Sequence, residues 1–174
     1  MALSSIVNEL KDTMVATLKG TSDVLTALRE GVKTQVVGGL KDVTDVIEAG
    51  VLSAKDVGVS MVEAAHEAVS SAVTAVADTG GDVFAASGKA VSGAVMAASE
   101  VGEDVGEVAV SAVTGAVETA GKLGKDTAEA TKVAVSSAVE TADSVGTEAG
   151  KSVRDALMAT ASLPKDLVRS LLNS

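Results

Sequence analysis

One hexapeptide returns at a fixed interval along this chain. Ala68-Val-Ser-Ser-Ala-Val73 recurs as Ala90-Val-Ser-Gly-Ala-Val95, Ala112-Val-Thr-Gly-Ala-Val117 and Ala134-Val-Ser-Ser-Ala-Val139, each 22 residues after the last. The same frame runs back through Val46 and Val24 to Ala2 and forward to Ala156, without insertion or deletion. Its second place is always branched and apolar: Leu3, Leu25, Ile47, Val69, Val91, Val113, Val135 and Leu157. A fixed period means one structural unit that buries its apolar face only against copies of itself. Residues 1–163 therefore read as a single helical repeat region, with units starting at 2, 24, 46, 68, 90, 112, 134 and 156.

The backbone type follows from the spacing inside a unit. Apolar residues fall near places 2, 5–6, 9, 12–13, 16–17 and 20, a step of about 3.67 residues, which is the helical period of an 11-residue repeat. A coil of a β-solenoid could share the unit length, but its strands would alternate with a period of two. The expected fold is all-α: long amphipathic helices built from 22-residue (2 × 11) repeats, folded as a helical hairpin or an elongated bundle. Glycine is costly inside helices, so turns are expected near Gly38-Gly39 and Gly80-Gly81. Pro164 ends or kinks the preceding helix, leaving a short C-terminal helix, Lys165 to Leu172, within residues 164–174.

Two rows of side chains stand out on such helices. One is an apolar stripe of Val69, Val73, Val91, Val95, Val113, Val117, Val135 and Val139. Beside it, every fourth residue is small. These rows are Ala90, Ala94, Ala98 and Gly102; Ala112, Ala116, Ala120 and Gly124; and Ala134, Ala138, Ala142 and Gly146. Small residues in an i, i+4 row let two helices approach closely, so these rows are expected to be close-packing ridges.

Chemistry-bearing patterns are scarce. The chain has no cysteine and a single histidine, His66, within Glu63-Ala-Ala-His66-Glu67. That pattern reads as a surface histidine, and it excludes thiolate and multi-histidine metal sites. Gly146-Thr-Glu-Ala-Gly150-Lys151-Ser152 resembles a phosphate loop but is one residue short and follows no strand; Gly121-Lys122 fails similarly. No catalytic residue, cofactor, metal or small-molecule substrate is expected, and the chain reads as a non-enzyme. Its net charge is −10, and residues 46–111 hold ten acidic and two basic groups. Such a surface repels nucleic acid. Glu9 interrupts the apolar N-terminal stretch and no basic region precedes it, so a signal peptide is not expected. Uncharged runs such as Ala68 to Ala77 are about half a membrane span. A cytoplasmic place, or one peripheral to a membrane or granule, is the default expectation.

Stretches such as Gly102-Glu-Asp-Val-Gly-Glu-Val-Ala-Val110 and Val117-Glu-Thr-Ala-Gly-Lys-Leu-Gly-Lys125 resemble the 11-residue amphipathic repeats of synucleins, exchangeable apolipoproteins and perilipins. Bacterial phasins, which coat polymer granules, are similar in function. The resemblance is one of period and composition and covers most of the chain. It implies reversible coating of a lipid or other apolar surface, with a lipid-free state that is a bundle or disordered. Against strong interfacial anchoring, Phe84 is the only aromatic residue. The competing expectation is that the partner is the chain itself: a self-assembling structural protein, bundle, filament or sheet, held by the small-residue ridges.

Overall fold

The computed structural model describes residues 6–10, 21–37 and 42–173, and every regular element among them is a helix. Helix α1 is represented by residues 6–10. The others are α2 (Thr21–Val37), α3 (Val43–Asp56), α4 (Met61–Asp78), α5 (Val83–Glu100), α6 (Val105–Lys122), α7 (Thr127–Val145), α8 (Thr147–Ala159) and α9 (Lys165–Leu172). Among the described residues the longest helix has 19 residues. The bundle is thus built from short helices rather than long amphipathic rods. The turn expected near Gly38-Gly39 lies outside the described residues.

The breaks have a local cause. Gly58, Gly80, Gly102 and Gly124 follow the ends of α3 to α6 with φ between 70° and 88°, a region that costs other L-residues about 1–2 kcal/mol. The amide after each glycine donates back to a carbonyl five residues earlier: Val59 to Ala54 and Gly81 to Val76 at 2.9 Å, Glu103 to Ala98 at 3.0 Å, and Lys125 to Ala120 at 2.9 Å. This closes each helix C-terminus. The following residue starts the next helix. Asp82 accepts from the amides of Phe84 (3.0 Å) and Ala85 (3.1 Å), Asp104 from Glu107 (3.1 Å), and Asp126 from Ala128 (2.9 Å) and Glu129 (3.2 Å). These are N-caps. A Gly-x-Asp triplet therefore ends one helix and begins another, and α5, α6 and α7 start at residues 83, 105 and 127. Between α3 and α4 the triplet is Gly58-Val59-Ser60, and the Ser60 side chain makes no capping bond.

From α2 onward the helices pack on their sequence neighbours and on the helix two further along: α2 on α4, α3 on α5, α4 on α6, α5 on α7, α6 on α8 and α7 on α9. Side-chain bonds between such pairs span a nearly constant sequence distance. The Ser111 hydroxyl donates to the Val62 carbonyl across 49 residues, Ser70 to that of Gly115 across 45, and Thr141 to Ser92 across 49. A constant offset means that the paired helices run parallel. The even-numbered helices α2, α4, α6 and α8 form one layer; α3, α5, α7 and α9 form the other. The core lies between and within the layers and is almost wholly Ala and Val, closed near residues 6–10 by Ile6, Leu10 and Leu28 and near α9 by Leu157, Leu163 and Val168.

Candidate functional site

The stripe faces inward. Val69, Val73, Val91, Val95 and Val113 are fully buried, Val135 is 1% exposed, and Val117 and Val139 are half-buried against the same core. Full burial of a valine side chain contributes roughly 1.5 kcal/mol or more, and here neighbouring helices supply it. The ridge divides into two parts. Ala90, Ala94, Ala98, Ala112, Ala116, Ala120, Ala134, Ala138 and Ala142 have no exposed surface. Gly102 and Gly124 instead occupy the turns, with nothing within 4 Å of an added Cβ. Gly146 separates α7 from α8 in extended backbone (φ 167°), also with open space around it. These three glycines depart from the expected ridge because they end helices rather than line a crossing.

The tight crossings are made by other glycines. A Cβ on Gly93 would collide with the Thr44 carbonyl of α3 and lie 3.0 Å from the Ile47 Cβ. One on Gly115 would sit 3.0 Å from the His66 carbonyl of α4. Both glycines hold the fourth place of their units, which is small throughout: Ser5, Ala27, Ala49, Ser71, Gly93, Gly115, Ser137 and Ala159. That column was the sequence signal for the crossings, and the every-fourth-residue ridge passed over it.

Glu48 also lacked a place in the sequence expectations. It lies on α3 near the Gly93 crossing and is 7% exposed. Burial, then a hydrogen bond with Glu100 and its charge, and then Asp45, push its carboxyl up to about 7. The third place of the units is otherwise Ser4, Thr26, Ser70, Ser92, Thr114 and Ser136, with Met158 at the end. A lone carboxylate in a hydroxyl column is a legible anomaly.

The outer side of the even-numbered layer carries the remaining features. His66 is half-buried on α4, and its Nε2 lies 3.1 Å from Glu118 Oε2 of α6. Arg29 reaches Glu67 at 3.5 Å, and Lys33 reaches Asp78 at 3.8 Å. These partly exposed pairs tie α2 to α4 weakly. Beside His66 an open cavity of about 640 Å³ crosses α4, α6 and α8, floored by Val62, Val110, Ala156 and Ala159. At the α7–α8 junction, Arg154 donates two 2.7 Å bonds to Asp143, which holds that carboxyl below the usual range. Among the described residues no three His, Asp or Glu side chains converge to hold a metal ion, and no helix is long and apolar enough to cross a membrane. No family model matches the chain, and no curated protein matches it.

Proposed function

We propose that this chain is a non-enzymatic structural protein, a helical scaffold whose Val/Ala stripe holds its own layers together. The observation that carries this reading is the burial of Val69, Val73, Val91, Val95 and Val113 against neighbouring helices. A stripe already satisfied within the chain gains nothing from a lipid surface unless the layers part. The small fourth-place residues support the same reading, because they serve contact between helices rather than insertion into an interface. The lone histidine, facing a carboxylate across the helix layer, supports a structural role over catalysis. The scaffold is expected to be fully helical in lipid-free buffer, to unfold cooperatively, and to stay behind when neutral phosphatidylcholine vesicles are floated. A largely unfolded lipid-free chain that gains helix on adding those vesicles would overturn it.

A second reading, the apolar-surface coat, is favoured by one feature. The layers are joined almost wholly by Ala and Val side chains. Such an interface is thinner than a core of Leu and Phe and is cheaper to open. On this reading the stack is a lipid-free store, and the same valines exchange neighbouring helices for an apolar surface. Vesicle flotation with concurrent loss of the interlayer contacts would favour the coat over the scaffold.

A further inference from the structure

The cavity beside His66 is both concave and mainly apolar. Val62 of α4, Val110 of α6 and Ala156 and Ala159 of α8 form its floor, and Glu107 and His66 border it. It exists because α6 and α8 present small side chains, Ser111 and Ala156 among them, where larger residues would fill the space between the helix ridges. Two neighbouring depressions share lining residues with it. One shares Val62 and Glu107 with it and adds Glu103 and Asp104, faced by Lys55. The other shares Glu107 and Ala156 and adds Glu148 and Asp155, faced by Lys151. Lys55 is engaged with Glu103 at 2.8 Å, so the rim is strongly acidic in balance.

We propose that this groove docks a cationic amphipathic helix from a partner protein, its apolar residues on the Val62–Val110–Ala156–Ala159 floor and its basic residues against the acidic rim. The inference rests on the folded scaffold being the working form and adds its partner. Three parallel helices give a trough of the kind that accepts a helix by its apolar face. The carboxylates select charge and orientation more than they add affinity. An acidic helix of the same shape meets like charge at Asp104, Glu107, Glu148 and Asp155, and a neutral lipid chain makes no use of the rim.

The test is fluorescence anisotropy with the intact chain and a labelled synthetic Leu/Lys amphipathic helix, alongside a Leu/Glu helix of the same pattern. The Leu/Lys helix is expected to bind at least about tenfold more tightly than the Leu/Glu helix, and more weakly as salt rises. Val110→Asn removes apolar floor without changing charge and is expected to weaken binding about tenfold. Glu107→Gln with Asp155→Asn is expected to flatten the salt dependence, while Glu140→Gln on α7 leaves binding unchanged. Circular dichroism of each variant separates loss of docking from loss of the scaffold, because docking fails alone when helix content and melting are intact. Equal binding of both peptides, or undiminished binding by a folded Val110→Asn protein, would overturn the proposal. So would a concentration-dependent dimer abolished by Val110→Asn, which makes a second copy the occupant, or neutral vesicles that displace the peptide, which makes lipid the occupant.

Discussion

At the scale of single residues, glycines of identical type have opposite tasks. Gly93 removes a side chain where the α3 backbone needs the space, whereas Gly102 supplies a positive φ in an open turn. Gly93→Ala is expected to push α5 from α3 and lower stability by about 1–3 kcal/mol, as overpacking does. Gly102→Ala strains only the turn and is expected to lose about 1 kcal/mol. Urea denaturation of the two variants checks this order, and a larger loss for Gly102→Ala than for Gly93→Ala would contradict it. Glu48 adds a pH dependence of its own near neutrality. Its carboxyl titrates near 7 in the folded chain and near 4.5 when unfolded, so the folded state binds more protons between those values. Stability therefore falls as pH rises from about 4.5 to about 7 and levels off above. Glu48→Gln is expected to flatten that part of the curve and to stabilise the protein at pH 8. Denaturation at a series of pH values measures both effects, and a variant curve still falling with the wild-type slope would contradict the assignment.

At the scale of the helix, the deciding letters are the turn triplets. The apolar step within the repeat made the helical class legible. It did not separate a continuous rod from separate helices, because an 18-residue helix and a rod with an 11-residue repeat carry almost the same stripe. What separates them is Gly80-Gly-Asp82, Gly102-Glu-Asp104 and Gly124-Lys-Asp126, a left-handed C-terminal cap followed by a side-chain N-cap. Read as a ridge, the glycines at 102 and 124 hid the aspartates two places after them. The groove was less legible, since Val62, Val110 and Ala156 are brought together only by the parallel packing of α4, α6 and α8. The turn chemistry also makes a prediction. Ser60 stands where the other triplets carry Asp and makes no side-chain cap, so Ser60→Asp should raise stability by roughly 0.5–1 kcal/mol. Asp104→Ala should lower it by about 1 kcal/mol. Thermal melts of the two variants shifting in the same direction would contradict the capping account.

At the scale of the whole molecule, the chain folds back at each turn and lays each helix from α2 to α7 beside the one two further along, so that the stripe is used up internally. The two alternatives differ most in long-range distance. In a continuous rod, residues 44 apart lie about 66 Å from each other; in the layered stack they lie on adjacent parallel helices with axes about 8–10 Å apart. The natural chain has no cysteine, so Asp78→Cys and Lys122→Cys, at the exposed ends of α4 and α6, admit a spin label at each site and nowhere else. Pulsed electron–electron resonance on the lipid-free protein is the most direct measurement. The layered fold predicts one narrow distribution below about 25 Å, the interaxial spacing plus two label arms, and a population centred near the rod distance, about 66 Å, would contradict it.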